Sequence, residues 1–170
     1  MKVTSGLLLC AAALMVTLGA CDRGAADVIR HKNPGSNFPI AMAVEVPAGK
    51  TTVYMSGAGA AIADKTLPPT SPAAYGDTKA QTISTLEKIR AQLQSLNLDM
   101  KDVVKMTVFL VGDPAKEGKM DFAGFMEGYT KYFGDAAKQP NLPARSTVQI
   151  PALANPGWLV EIEVTAVRPK

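Results

Sequence analysis

Histidine and cysteine are scarce in this chain. Its 170 residues hold one histidine, His31, and two cysteines, Cys10 and Cys21. Both thiols lie within the first 21 residues, so the rest of the chain can form no internal disulfide and carries no cysteine nucleophile. A lone histidine in a polar N-terminal stretch likewise excludes a Ser-His-Asp triad or a histidine-based metal site in the remainder. Basic runs are missing too. Lysines and arginines are scattered singly, so nothing marks a nucleic-acid surface, and a formal charge of +3 decides nothing about partners. Gly57-Ala58-Gly59 lacks the third glycine and the strand-to-helix setting of a dinucleotide fingerprint.

What is present begins with the N-terminus. Lys2 precedes the apolar run Leu7 to Val16, which falls short of the roughly 20 apolar residues a spanning helix needs. A short apolar run followed by small residues reads as a removed secretory signal. Leu18-Gly19-Ala20-Cys21 resembles the lipobox of bacterial lipoproteins, in which the cysteine sulfur takes diacylglycerol before cleavage on its N-terminal side. Residues 1–20 are therefore expected to be a signal peptide, with Cys21 the lipidated first mature residue. The expected location is the cell envelope, anchored to a membrane and facing the periplasm. Asp22 leaves the choice of membrane open. Residues 21–37 read as a mobile polar tether with His31 solvated in it. Cleavage leaves about 150 residues, enough for one domain with a real core.

Within residues 38–170 the hydrophobic period alternates between two and 3.6. Ala41 to Val46 and Thr51 to Ser56 read as strands, and Pro47-Ala48-Gly49-Lys50 between them suggests a hairpin. Gly57 to Tyr75, rich in Gly, Ala and Pro, reads as a long loop. A helix is expected from Thr78, with Thr78 and Gln81 as a capping box and Ile83, Leu86, Ile89, Leu93 and Leu96 on one face. Asn97 is placed to end it in the left-handed conformation. Val103 to Leu110 alternates as a strand. About Asp121 to Phe133 forms a second helix, with Phe122, Phe125, Tyr129 and Tyr132 or Phe133 packed inward. Ala144 to Ile150 and Leu159 to Arg168 complete the set. The order is strand, strand, helix, strand, helix, strand, strand: an α+β domain with two helices on one face of a sheet.

Chemistry can then rest on few groups. Arg145 and Glu161 lie on the two terminal strands and are expected on one polar face. A guanidinium binds a carboxylate through two parallel hydrogen bonds, and a nearby carboxylate can polarise a water. An ordinary structural salt bridge explains the same pair.

Pro143-Ala144-Arg145-Ser146-Thr147-Val148 followed by Val160-Glu161-Ile162-Glu163-Val164-Thr165-Ala166-Val167 resembles the C-terminal signature of the RidA (YjgF) family. Gln81 to Leu98, Asp102 to Phe109, Phe122 to Phe133 and Tyr54-Met55-Ser56-Gly57 are similar to further family segments, in order, over nearly all of residues 38 to 169. The resemblance implies a chorismate-mutase-like α+β fold, a homotrimer with clefts between subunits, and a sheet face lining the trimer core. It implies hydrolysis of reactive 2-imino acids to 2-keto acids and ammonia without a cofactor or metal. By the same resemblance, Arg145 matches the carboxylate-binding arginine and Glu161 the acid that positions water. Thr147 and Gly57 match substrate-facing positions of the cleft. Ile40 and Met126 depart from the Tyr and Asn common in deaminating members and make the pocket more apolar. Two other readings stand beside deamination: a trimer that binds a small carboxylate without turnover and, last, the endoribonuclease activity attached to the family's name.

Overall fold

The structure is a computed structural model that describes residues 27–169. The expected signal peptide and lipidated Cys21 lie outside the described residues. No helix among those described is long and apolar enough to cross a membrane.

One mixed sheet of seven strands forms the frame: β1 (Ile29–Lys32), β2 (Ala41–Glu45), β3 (Thr52–Tyr54), β4 (Ala58–Gly59), β5 (Val103–Val111), β6 (Ala144–Ile150) and β7 (Val160–Val167). The order across it is β1-β2-β6-β5-β7-β3, with β4 also on β7. β5 lies at the centre, parallel to β6 and antiparallel to β7. The parallel pair needs a crossover, and α2 (Phe122–Tyr129) supplies it. Together with α1 (Thr78–Ser95) it covers one face. The expected α+β architecture is therefore present.

The helix ends follow from local chemistry. Asp77 caps α1 by accepting from the Ala80 N–H at 2.8 Å. At the other end Asn97 takes φ 57°, while the Asn97 and Leu98 N–H groups reach back to Gln94 and Leu93. That is a Schellman ending with asparagine in the left-handed position. Asp121 caps α2, accepting from the Gly124 N–H. Leu86, Ile89 and Leu93 of α1 meet Phe125 and Tyr129 of α2 over Met106, Val108 and Leu110 of β5, all essentially fully buried. The helices approach closely because Gly128 has no side chain: a Cβ there would lie 2.8 Å from the Thr82 Cβ.

Four expectations are corrected. The polar stretch called a tether contains β1, which pairs antiparallel with β2, Arg30 opposite Val44 and His31 opposite Ala43. Arg30 is the reason: its guanidinium donates to the carbonyls of Val103 at 2.9 Å, Leu142 at 2.7 Å and Lys101 at 3.0 Å, fastening the strand. His31 is thus a strand residue, paired with Glu45 at 2.7 Å. The expected hairpin of residues 41–56 does not form. The turn exists, with Gly49 at φ +83°, but β2 goes to β1 and β6 while β3 pairs with β7. The helix cap is Asp77 and not Thr78. Gln81 is instead a fully buried clamp, donating to the Gly76 and Gly157 carbonyls and accepting from the Leu159 N–H at 2.8 Å. Finally, α2 ends at Tyr129, and Phe133 reaches the core from the following turn.

The long loop after Gly57 is packed, not loose. Ala60, Ala74 and Tyr75 bury themselves against Trp158 as a second small core. The Tyr75 hydroxyl donates to the Pro69 carbonyl at 2.9 Å and pairs with the Asn155 amide at 2.7 Å. Loop 60–76 is thereby pinned to the turn before β7.

Candidate active site

Strand register decides where the candidate residues point. Along β5, Met106 is opposite Arg145 and Val108 is opposite Thr147. Met106 and Val108 face the helices and are fully buried. Directly paired residues share a face of a sheet, so Arg145 and Thr147 project under the helical layer. On the other side of β5, Phe109 pairs with Glu161 and Thr107 with Glu163. These alternate with the core positions and occupy the uncovered face. The expectation that Arg145 and Glu161 share a face is therefore corrected: within one chain they lie on opposite faces.

Arg145 is held in an aromatic enclosure. Its guanidinium carbon lies 4.3 Å from the Tyr129 ring centre, 4.9 Å from Phe125 and 5.4 Å from Phe38. Nη2 donates to the Met126 sulfur at 3.3 Å, while Nη1 is buried without a partner. No carboxylate is paired with it among the described residues. Burial holds this guanidinium below the ordinary arginine range, and Tyr129 works in the opposite sense. Arginine nevertheless keeps its proton inside proteins. The result is a desolvated cation facing rings and a thioether, which are weak substitutes for an anion. Two residues along the strand, the Thr147 hydroxyl is also buried and unpartnered.

Tyr129 serves two ends. Its ring stacks on Phe133, with centroids 4.9 Å apart, and its hydroxyl donates to the Pro39 carbonyl at 2.8 Å. That bond ties the Phe38-Pro39 segment to α2 beside Arg145. Burial pushes the Tyr129 hydroxyl well above the usual tyrosine range, with Arg145 pulling it back. It is neutral at physiological pH and is no candidate for a base.

The Glu161 side has its own geometry. The five residues from Tyr54 to Ala58 lie against only four of β7, from Thr165 to Ile162. The extra residue is a bulge, and Gly57 sits in it. A Cβ on Gly57 would lie 2.7 Å from Glu161 Oε1, so the missing side chain makes room for the carboxylate. The structure thus brings together two pairs, Arg145 with Thr147 and Gly57 with Glu161, and separates the pairs by the thickness of the sheet. Nothing in the sequence pattern marks Phe38, Phe125 and Tyr129 as site residues. The last two read as core, which they also are, and only strand register reveals that an arginine lies against them. Among the described residues, no cluster of three or more His, Cys, Asp or Glu could hold a metal ion.

A central strand flanked by one parallel and one antiparallel neighbour, with two helices packed on one face of the sheet, defines a class of small α+β proteins. The chain belongs to the RidA/YjgF family: the family model described as Endoribonuclease L-PSP matches residues 31–168. Protein DfrA of Myxococcus xanthus is 37% identical over 134 residues, which is 79% of this chain and 88% of that protein. The Escherichia coli K12 protein named "Putative reactive intermediate deaminase TdcF" is 35% identical over 92 residues, 54% of this chain and 64% of its own length. Among solved structures, the conserved Rid family protein YyfB of Yersinia pestis superposes with a TM-score of 0.58 at 26% identity, covering 82% of this chain and 98% of that one. Escherichia coli TdcF with bound serine superposes with a TM-score of 0.52 at 29% identity, covering 81% and 94%.

Proposed function

We propose that this protein hydrolyses reactive 2-imino acids to 2-keto acids and ammonia, in clefts where two copies of the chain meet. The observation that carries this reading is Arg145: a half-buried guanidinium with an unpartnered, buried Nη1 and no acidic partner among the described residues. A carboxylate supplied by a ligand satisfies that charge through charge-assisted hydrogen bonds, and the Thr147 hydroxyl is placed to add another. The deaminase name borne by TdcF, and the serine bound in its structure, support a small amino-acid-like ligand.

The chemistry asks little of the protein. Water adds to the imine carbon, the C–N bond of the resulting carbinolamine breaks, and ammonia leaves with the 2-keto acid. Arg145 orients the substrate by its carboxylate, and a carboxylate on the far side steers the water. Glu161 suits that second role, but it faces away from Arg145 in its own chain. The two roles are therefore assigned to neighbouring subunits of a homotrimer, joined through the uncovered sheet face. That face exposes Val148 and Tyr54, the latter 82% accessible, as a contact surface calls for. The lipobox-like Leu18 to Cys21 supports placing this trimer at the cell envelope, anchored by lipid on Cys21.

The test is an assay that generates 2-iminobutanoate and follows its loss against semicarbazide trapping. Wild type is expected to accelerate hydrolysis and Arg145→Ala to fall to the blank. Equal rates for wild type and blank over several side chains overturn catalysis. The separation of Arg145 from Glu161 favours one other reading, a trimer that binds small carboxylates without turnover. Saturable binding with no keto-acid product decides for it.

A further inference from the structure

We infer that Phe38 is a specificity-determining residue, forming the outer wall of the Arg145 site and selecting ligands with bulky apolar side chains. This rests on the carboxylate-binding reading of Arg145 and names the class of ligand it takes. Three rings surround the guanidinium, and they are not equivalent. Phe125 and Tyr129 are fully buried, whereas Phe38 is 41% exposed, so it is the ring on the solvent side. It is held in place from two directions. Its ring stacks on Phe122, with centroids 6.3 Å apart and planes 15° from parallel. Its neighbour Pro39 receives the Tyr129 hydroxyl at 2.8 Å.

A carboxylate seated on Arg145 Nη1 leaves its substituent within a few bonds of this wall. The groups touching the guanidinium are Phe38, Phe125, Tyr129 and Met126, and none presents a carboxylate or amide that a polar substituent could pair with. A branched or aromatic side chain covers the exposed part of the Phe38 ring and gains by it. A polar one loses water there without replacement. Phe38 also borders a hollow of about 130 Å³ in which Ile40 and Leu142 stand beside Lys32, Asn33, Ser36, Asn37 and Asp135.

The experiment measures binding of unreactive 2-oxo acids by calorimetry to the full chain, as wild type, Phe38→Ala, Phe38→Leu and Arg145→Met. The ligands are pyruvate and 4-methyl-2-oxopentanoate. Wild type is expected to bind the branched acid about 10-fold more tightly than pyruvate, the scale that a few methylenes in an apolar pocket can set. Phe38→Ala is expected to weaken the branched acid more than pyruvate and so remove most of that preference, and Phe38→Leu to restore part of it. Equal loss for both ligands in Phe38→Ala, or a preference left intact, overturns the assignment to Phe38. In either case pyruvate binding that needs Arg145 leaves the carboxylate reading standing. Absence of any binding to wild type overturns both.

Discussion

Arg145 and Glu161 flank the same central strand three residues apart in register, Arg145 opposite Met106 and Glu161 opposite Phe109. An odd separation on a period-two strand puts them on opposite faces. If both act on one substrate, two chains must supply them. Mixing Arg145→Ala with Glu161→Gln subunits then regenerates activity that neither variant has alone. Each mixed trimer holds one cleft with both residues intact, so random reassembly is expected to return roughly a quarter of wild-type activity. No recovery, with mixed trimers verified by mass spectrometry, rejects the shared cleft.

Arg145 is partly buried with no carboxylate partner among the described residues, so it is expected to cost stability. Arg145→Met keeps apolar bulk against Phe125 and Tyr129 and removes the buried charge. Urea denaturation is expected to show a change between neutral and about 1 kcal/mol stabilising, since replacing buried charge by hydrophobic volume is often favourable. A loss above about 2 kcal/mol means that the ring contacts dominate and the residue is structural.

Gly57 leaves room for Glu161. In Gly57→Ala the new Cβ meets Glu161 Oε1 at 2.7 Å and Cδ at 3.0 Å, and the flexible carboxylate end gives way. Stability is expected to change by less than about 1 kcal/mol. Turnover should fall by about 10- to 100-fold through a misplaced acid. Steady-state kinetics locate the effect in kcat. An unchanged kcat means that the Glu161 carboxylate position is irrelevant to the reaction.

Gln81 carries three hydrogen bonds in a site closed to solvent. Gln81→Leu strands the Leu159 N–H and two carbonyls. A loss of about 2–4 kcal/mol is expected by urea titration, the cost of leaving buried polar groups unpaired. Limited proteolysis should then cut first in residues 60–76, where the loop depends on the clamped turn at Gly157.

Cys21 is expected to carry lipid. Growth with a labelled fatty acid should mark the wild-type chain and not Cys21→Ala, and the variant should leave the membrane fraction. Label retained in Cys21→Ala refutes the anchor.

Much of the fold was legible because its signals are local. Alternation along Val103 to Leu110 placed Val104, Met106, Val108 and Leu110 inward, and all four are buried. Asn97 at the end of α1 took the left-handed conformation that a short amide side chain tolerates. The single histidine and the position of the two thiols narrowed the chemistry without any structure. The pairing of β1 with β2 was not legible. Ile29–Lys32 has no apolar period of its own and joins the sheet through the Arg30 bonds to residues more than 70 positions away.

The sequence by itself determined which residue types were available: an arginine and a glutamate on the two terminal strands, one histidine near the N-terminus, and a hydrophobic pattern sufficient for two helices on one sheet. It also determined which residues within each strand share a face, because that depends only on the two-residue period. Only the tertiary structure decided which face of β6 met which face of β7. That relation is set by register against β5, and a shift of one residue inverts every side chain of a strand. Tertiary packing also turned an aromatic stripe on α2 into the enclosure of Arg145, since Phe125 and Tyr129 come within reach of residue 145 only when α2 crosses over the β5–β6 pair.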